Sequence, residues 1–352
     1  MSHITEIALE NYRSFRSARC RLSPFTLVVG ANNAGKSNLL RAVCHVTASW
    51  TTKAEADSLK AARHHQCTKD ISVCVAAKWS DDHFSEAIFW GEEERRDEIK
   101  AVLERFFASD GRNAPEVRAR YLEPFLDIYH LDPTIIGGAE GGADEPRIEA
   151  SGKGVSWTLD KWNSGARQKH DRFERVVDEL RRCVSEIDRI SFYDLRGGLR
   201  AIQVEQTGLP DPVPLSEVSD GTRIMLALLT LMNVENPPPV LLLEDIDHGL
   251  HPRLYEQLVD FLRTLAAQGR TQIIATTHNP YLIDEFREMP EAVVIVEKQD
   301  GQSTLSNLDE RLKTMLEPGE ELEMPLGQVW FSGLVGGVPG MKLPEILKPA
   351  HT

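Results

Sequence analysis

The chain contains short runs of apolar residues with the length and composition of buried parallel strands. Three of them lie at 25–29, Val240–Leu243 and Gln272–Thr277. Residues 252–267 lie between the second and third runs, and their apolar positions recur on one face of a helix. The alternation of strand and helix predicts an α/β fold with a mixed, largely parallel sheet.

Other segments carry less regular patterns. Apolar residues at helical spacing predict helices after residue 37 and over 224–231, 84–107 and 167–187, whereas the alternation at 70–79 predicts one half-buried strand. No heptad is sustained, so no long coiled-coil arm is expected. No run approaches the ~20 apolar residues of a membrane span, and the first residues lack the apolar region of a signal peptide.

The loop after the first apolar run reads GANNAGKS over residues 30–37 and fits the phosphate-loop pattern G-x-x-x-x-G-K-[ST]. Such a loop binds a triphosphate through backbone N–H groups and the positive end of the following helix. Lys36 would reach the β- and γ-phosphates, and Ser37 would ligate Mg²⁺. The alternative is a glycine turn beside a surface lysine, and the flanking strand and helix argue against it. The residues expected to bind ATP here are Gly30, Asn32, Asn33, Ala34, Gly35, Lys36, Ser37 and Asn38.

Two carboxylates follow the second apolar run at the edge where ligands bind in open α/β sheets. We expect Glu244 to hold the hydration shell of Mg²⁺ and Asp245 to orient or deprotonate the attacking water. The alternative is a strand end that merely carries acidic residues. After the third run, His278 lies where it can sense the γ-phosphate through a ring hydrogen bond, the alternative being an ordinary loop histidine.

A second anion-binding turn opens the helix at 224–231. Ser219 and Gly221 form a Ser-x-Gly turn at its N-terminus, although Ser-Asp-Gly is also a common helix-start turn. One triphosphate needs only one such loop. The second is most simply explained if it closes on the nucleotide of another subunit.

Composition limits the classes of function. With 352 residues the chain can form one large core with an insertion, or two domains. Its formal charge of -14 argues against coating nucleic acid with the whole surface, although a local basic face remains compatible with it. The five cysteines form no C-x-x-C pair, which argues against a zinc site and favours a reducing, cytoplasmic setting.

Taken together, the motifs resemble those of the ABC-type ATPases of the RecF, structural-maintenance-of-chromosomes and overcoming-lysogenization-defect group. The matching segments are GANNAGKSNLL, LSEVSDGTR, LLLEDIDHGLHP and TTHNPYLID, together with residues 11–15. The resemblance implies a P-loop NTPase fold with an inserted, mostly helical lid or arm. It also implies that Arg13 lies near the nucleotide and that a glutamine links ATP to the insertion, with Gln66 in about the right region.

The same resemblance predicts the organisation of the chain. Residues 1–45 and 188–300 would form a discontinuous ATPase domain, 46–187 the inserted subdomain, and 301–352 a C-terminal tail packed on the ATPase domain. Two subunits would close around two ATP with Ser219 and Gly221 acting in trans.

The resemblance leaves two biological roles open. The first is a conformational switch in DNA repair or anti-phage defence. The second is a regulatory ATPase that controls a separately encoded nuclease or toxin without binding DNA. Asp245 stands where the family usually has a glutamate, so slow turnover is expected.

Acidic residues in the segment that follows the last motif raise the alternative of a fused nuclease domain. Residues 293–297 and Asp300 faintly resemble the first acidic motif of a metal-dependent nuclease domain. A last strand followed by a hairpin turn at Asp300 and Gly301 explains the same residues better. No nuclease domain is therefore predicted.

Overall fold

The computed structural model describes residues 3–47, 73–80, 84–89, 126–141, 147–317 and 322–338. The strands are β1 (Ile4–Tyr12), β2 (Phe15–Arg21), β3 (Phe25–Gly30), β4 (Val73–Trp79), β5 (Phe84–Phe89), β6 (Ile128–Tyr129), β7 (Ile187–Asp194), β8 (Arg200–Gln206), β9 (Val213–Pro214), β10 (Val240–Leu243), β11 (Gln272–Thr277), β12 (Val293–Gln299) and β13 (Gln302–Asn307). The α-helices are α1 (Lys36–Thr47), α2 (Val155–Asn163), α3 (Arg167–Cys183), α4 (Asp220–Met232), α5 (Tyr255–Ala267), α6 (Pro280–Asp284), α7 (Leu308–Met315) and α8 (Leu326–Phe331).

The described strands form two sheets. The larger has the order β5-β4-β1-β2-β13-β12-β3-β11-β10-β6, and the smaller has the order β7-β8-β9. Strands β12, β3, β11, β10 and β6 run parallel to one another. In the other half, β1 pairs antiparallel with β2 and with β4, β4 pairs antiparallel with β5, and β13 joins the two halves, antiparallel to β12 and parallel to β2. The ends of β3, β10 and β11 therefore meet at one edge of the parallel half, where ligands bind in sheets of this class.

Both faces of the parallel half are covered. Leu27 and Ile273 point into the cluster that includes α4, α5 and α6, while their neighbours Val28 and Ile274 point into the cluster that includes α1. Every residue of β3, β10 and β11 is buried. Because successive side chains of a strand alternate between faces, burial on both faces requires an uninterrupted apolar run.

The chain between β6 and α4 forms a layer on one side of the main sheet. Helix α2 packs against α3, and both pack against α4. The buried residues of α3 are Phe173, Val176, Val177 and Leu180, and their separations of three and four residues place them on one face of the helix. The small sheet leads from β9 through a turn at Leu215–Glu217 into α4. This layer therefore positions the Ser-x-Gly turn.

The structure confirms the predicted α/β class with a mixed, largely parallel sheet. The helix predicted over 167–187 is confirmed as α3, although it ends at Cys183 and Ile187 begins β7. The helix predicted over 84–107 is wrong at Phe84–Phe89, which pairs with β4 as strand β5, and the rest of that range lies outside the described residues. Hydrogen bonds to a neighbouring strand override local helical spacing in so short a segment.

The predicted hairpin turn after the last parallel strand is confirmed. Strands β12 and β13 pair antiparallel, with Gln299 opposite Gln302 and two residues between them. Asp300 and Gly301 have φ values of 50° and 82°, as a type I′ turn requires. Glu297 accepts hydrogen bonds from Arg311 and from the backbone of Gly337, which gives this acidic residue a structural role.

The predicted domain boundaries stay predictions. In the range 46–187 the structure places strands β4, β5 and β6, which belong to the main sheet, and helices α2 and α3. In the range 301–352, α7 packs against β12 and β13, and α8 packs against α6. None of the described helices has the length and apolar character that crossing a bilayer requires.

Candidate functional site

The phosphate loop joins β3 to α1 and passes close to neighbouring backbone at its two glycines. A Cβ on Gly30 would lie 2.3 Å from the Val296 carbonyl oxygen. Gly35 has a φ of 121°, and a Cβ there would lie 2.8 Å from Ser303 Oγ. Both sites exclude a larger residue by contact, and Gly35 also by conformation. The β12–β13 hairpin thus lies in close contact with both glycines of the loop.

Lys36 lies inside this loop. Its Nζ donates to the carbonyl oxygens of Gly30 at 2.9 Å and Ala31 at 3.2 Å, and the residue is buried. Burial lowers the pKa of Lys36, while the nearby carboxylates of Asp245 and Glu244 act in the opposite direction. The loop thus holds the buried Lys36 ammonium against two of its own carbonyl oxygens and close to the acidic end of β10. Phosphate oxygens could replace these carbonyl oxygens as acceptors of the ammonium.

Ser37 and Glu244 meet across the site. The Ser37 hydroxyl donates to Glu244 Oε1, which joins the start of α1 to the end of β10. A hydroxyl and a carboxylate are hard oxygen ligands of the kind that Mg²⁺ takes together with phosphate oxygens and water. No cluster of three or more His, Cys, Asp or Glu ligands occurs among the described residues. These two side chains therefore fit a Mg²⁺ ion that also needs nucleotide oxygens, not an all-protein metal site.

Asp245 and His278 face each other beside that pair. Asp245 Oδ1 lies 3.7 Å from His278 Nδ1, and both side chains remain partly exposed. The backbone N–H of Asp245 donates to Thr276 Oγ1 at 2.9 Å, and Asp245 has a left-handed φ of 49°. The structure thus brings together a carboxylate and an imidazole, both accessible, at the end of two adjacent parallel strands.

Asp247 is a residue of this edge that the sequence reasoning did not single out. It is buried, and its Oδ1 accepts from the Thr277 hydroxyl at 2.5 Å. The same hydroxyl accepts from the backbone N–H of Asn279 at 3.0 Å, and Asn279 Nδ2 donates to Tyr255 OH at 2.7 Å. These bonds fix the backbone on both sides of His278. The third acidic residue of Glu-Asp-Ile-Asp was the only sequence signal for this network.

Two serines outside the predicted site, Ser14 and Ser303, support the phosphate loop through hydrogen bonds. Ser303 Oγ donates to the Ala34 carbonyl, and Ser303 N donates to the Ser14 carbonyl at 2.6 Å. Asn38 Nδ2 donates to Ser14 Oγ at 3.0 Å. Asn38 was predicted to bind the nucleotide, and in this structure its amide faces Ser14. The sequence offered a signal for Ser14, because residues 11–15 are one of the segments that resemble the ATPase family. It offered no signal for Ser303.

The remaining predicted residues of the loop occupy varied positions. Asn32 and Asn33 are exposed at its tip, and Asn33 has a left-handed φ of 62°. Ala34 is buried and makes the carbonyl contact with Ser303. Gln66 lies outside the described residues, so its assignment stays a prediction.

The Ser-x-Gly turn belongs to a different neighbourhood. Ser219 is exposed, and its hydroxyl accepts from Thr222 N at 3.2 Å as the N-cap of α4. A Cβ on Gly221 would lie 3.1 Å from Leu254 Cδ1 and 3.3 Å from Leu250 Cδ2. The turn thus packs on the loop that follows the acidic strand, and the Ser219 side chain faces outward.

Arg13 lies in the turn between β1 and β2. It has a left-handed φ of 50°, and its Nε donates to Tyr12 OH at 3.3 Å. The Tyr12 ring in turn meets His45 edge to face, with centroids 5.7 Å apart. The turn is therefore tied through Tyr12 and His45 to α1, the helix that follows the phosphate loop.

His45 makes this region sensitive to acid. Burial, followed by the charges of Arg13 and Arg41, lowers the pKa of His45 from 6.5 to about 4. Between these two values the unfolded chain binds a proton that the folded chain does not, so stability falls as the pH falls through this window. At pH 5 the expected loss from His45 is about 2 kcal/mol. Urea unfolding at pH 7 and pH 5 should show a smaller pH-dependent loss in His45→Gln than in the wild type, and equal losses would contradict the assignment.

Two family models match the chain. One, described as "AAA domain, putative AbiEii toxin, Type IV TA system", matches residues 142–284, and another, described as "AAA ATPase domain", matches residues 3–118. The first range contains the Ser-x-Gly turn, the acidic pair and His278, and the second contains the phosphate loop. No curated protein matches the chain.

Solved structures of SMC head domains resemble it at low identity. A crystal structure of the SmcHead bound to the C-winged helix domain of ScpA has 19% identity, covers 88% of this chain and 99% of that chain, and has a TM-score of 0.49. The SMC head domain from Thermotoga maritima has 18% identity, covers 87% of this chain and 98% of that chain, and has a TM-score of 0.43.

Proposed function

We propose that this chain, two parts of which match models described as an AAA domain and an AAA ATPase domain, binds Mg²⁺ and ATP at the phosphate loop and hydrolyses the ATP there. The observation that carries the proposal is the contact of the Ser37 hydroxyl with Glu244 Oε1. It joins two motifs that lie far apart along the chain, and its two oxygens suit one Mg²⁺ ion bound beside phosphate.

Each polar group of the site has a proposed task. Lys36 and the backbone of the loop neutralise the phosphates, while Ser37 and Glu244 hold the hydrated metal ion. Asp245 orients and deprotonates the attacking water. His278, 3.7 Å from the Asp245 carboxylate, senses the γ-phosphate. Bound Mg²⁺ would supply charge neutralisation at the phosphates, and the protein would supply position and proton acceptance.

The proposed active unit is a dimer that closes around two ATP. Ser219 is exposed, and the nearest neighbours of Gly221 are Leu250 and Leu254, which follow the acidic strand, not residues of the phosphate loop. An N-terminal turn of a 13-residue helix offers N–H groups to an anion. A second subunit is the simplest source of a nucleotide for this turn. ATP binding would then drive closure, and hydrolysis would drive release.

Mixing two inactive variants tests whether the turn acts in trans. Ser219→Arg should abolish hydrolysis while leaving ATP binding intact, because its phosphate loop is unchanged. Lys36→Ala should remove ATP binding but retain a normal Ser-x-Gly turn. A mixed dimer has one site built from two wild-type halves, so mixing should restore about a quarter of the wild-type turnover if one intact site suffices and subunits exchange at random.

The matched control is Ser164→Arg, which places the same side chain on an exposed serine at the C-terminal end of α2, outside the motif segments. We expect this variant to retain turnover within about twofold of the wild type, since surface changes away from a site have small effects. Dimer formation is followed by light scattering in the same samples. Hydrolysis at the wild-type rate by a protein that stays monomeric with ATP would overturn the dimer proposal.

Two roles for the switch remain candidates. In the first, closure acts on DNA in repair or anti-phage defence. In the second, closure controls a separately encoded nuclease or toxin. The second gains support from the matching model described as a putative toxin of a type IV toxin–antitoxin system, and from the formal charge of -14.

ATP turnover with and without duplex DNA separates the two roles. If DNA is the ligand, it should stimulate turnover, and the stimulation should weaken between about 50 and 200 mM salt because phosphate contacts release counterions. Turnover that is independent of DNA at both salt concentrations favours control of a protein partner.

A further inference from the structure

The C-terminal strap, defined here as residues 326–338, reaches the phosphate loop. The backbone N–H of Ala31, the residue after Gly30, donates to the Gly337 carbonyl at 2.9 Å. Gly337 N donates in turn to Glu297 Oε1 at 2.9 Å, and Glu297 Oε2 accepts from Arg311 at 2.7 Å. The strap is therefore tied both to the loop and to the end of β12.

Packing holds this end of the strap against the sheet. Val335 is 2% exposed and Trp330 is 4% exposed. A Cβ on Gly337 would lie 2.7 Å from Ile295 Cγ2 and 2.9 Å from Trp330 Nε1. Gly337 also has a left-handed φ of 81°. A side chain at this position would push the strap away from β12, and with it the carbonyl that receives the Ala31 N–H.

The other end of the strap contacts the helix that follows His278. Helix α8 packs against α6, which begins at Pro280. Gly327 N donates to Asp284 Oδ1 at 2.7 Å, and a Cβ on Gly327 would lie 2.0 Å from the Pro280 carbonyl oxygen. One short segment thus touches the phosphate loop and the helix next to the proposed γ-phosphate sensor.

We propose that the C-terminal strap is a positioning element of the ATP site, and that Gly337 holds the phosphate loop through Ala31. This inference rests on the proposed function for its effect on ATP. Ala31 uses its N–H for Gly337 and its carbonyl for Lys36 Nζ, so displacement of the strap also displaces one of the two carbonyls that position the ammonium. A small misplacement of binding groups has a large effect on affinity and rate.

Two glycines of the strap provide a matched pair of variants. Gly333 and Gly337 both have a φ of 81°, so alanine suffers the same backbone strain at each. A Cβ on Gly333 meets nothing within 4 Å, whereas one on Gly337 collides with Ile295 and Trp330. Gly337→Ala should raise the Kd of Mg-ATP, measured by calorimetry, by about tenfold. Gly333→Ala should stay within about twofold of the wild type.

Glu297 supplies a second pair, which keeps the test valid if Gly337→Ala fails to fold. Glu297→Ala removes the acceptor of the Gly337 N–H, while Glu297→Gln retains an oxygen at the same distance along the side chain. We expect Glu297→Ala to behave like Gly337→Ala, and Glu297→Gln to restore most of the affinity. If Glu297→Gln restores the ATP affinity, the hydrogen bond from Gly337 is the contact that matters, because the amide keeps this acceptor but lacks the charge that pairs with Arg311.

Hydrogen exchange of the 30–37 peptide in the nucleotide-free protein gives a readout independent of ATP. Loss of the Gly337 carbonyl should speed exchange at Ala31 by about tenfold in Gly337→Ala and Glu297→Ala. Exchange at the wild-type rate in both folded variants overturns the strap proposal. A third outcome separates the two proposals. If the variants exchange faster than the wild type but the wild type binds no Mg-ATP, the proposed function is overturned, while the proposal that the strap positions the loop stands.

Discussion

Lys36→Ala is expected to raise the Kd of Mg-ATP by at least about 100-fold, or about 2.7 kcal/mol. Lys36 is the cation that the loop encloses, with Nζ 2.9 Å from the Gly30 carbonyl oxygen. Its removal takes the charge-assisted contacts away from the β- and γ-phosphates while the loop backbone stays in place. Calorimetric titration with a slowly hydrolysed ATP analogue measures the change directly.

The control is Lys298→Ala, the same substitution at an exposed position of β12. This variant should bind Mg-ATP like the wild type. Thermal unfolding of the nucleotide-free proteins checks that the variant is folded. Because burying an ammonium is costly, Lys36→Ala should not lower the stability of the nucleotide-free protein. Affinity that is unchanged in a folded Lys36→Ala protein would remove the assignment of residues 30–37 as the phosphate loop.

Asp245→Asn is expected to lower ATP turnover by at least about 100-fold while retaining ATP binding. The amide can still accept a hydrogen bond from water, but it is a far weaker base than the carboxylate. The backbone should tolerate the change, because Asn adopts the left-handed conformation seen at Asp245, with its φ of 49°, as readily as Asp does. Since closure would precede hydrolysis, the variant should accumulate a closed dimer with ATP, detectable as a doubled mass in light scattering.

Asp260→Asn is the matched control, since Asp260 is exposed on α5 and pairs only with Arg263 three residues away among the ion pairs of the described residues. It should hydrolyse ATP at the wild-type rate and should not trap a dimer. Wild-type turnover in Asp245→Asn would move the catalytic role elsewhere, and Glu244 would be the first candidate. Loss of turnover together with loss of binding would instead indicate a role of Asp245 in holding the nucleotide.

Local sequence was sufficient for the parts of the site that lie on one strand and the turn after it. Val240–Leu243 is an unbroken apolar run because both faces of β10 are buried, and the polar residues after it mark the edge of the sheet. The same reasoning placed His278 after β11, and the structure brings it to within 3.7 Å of Asp245. Parallel neighbours end at one edge, so order along the chain was enough to predict proximity.

Contacts between distant segments could not be predicted in this way. Ser303 supports the loop at Ala34 only because β13 lies beside β2, and Gly337 reaches Ala31 only because the strap crosses the end of β12. Neither residue belongs to a motif or to a periodic pattern. Segment 84–89 was predicted as a helix for the related reason that its pairing with β4 is a tertiary contact.

The sequence by itself determined the α/β class, the loop at residues 30–37 between strand and helix, the acidic residues after β10 and the position of His278 after β11, because each depends on residue type and spacing within a few residues. The tertiary structure alone decided which side chains support them. It placed Ser37 against Glu244, buried Asp247 beneath Thr277, turned Ser219 outward and set Gly337 on the phosphate loop. Such contacts depend on strand order and on the path of loops across the sheet, and these follow from the packing of the whole chain.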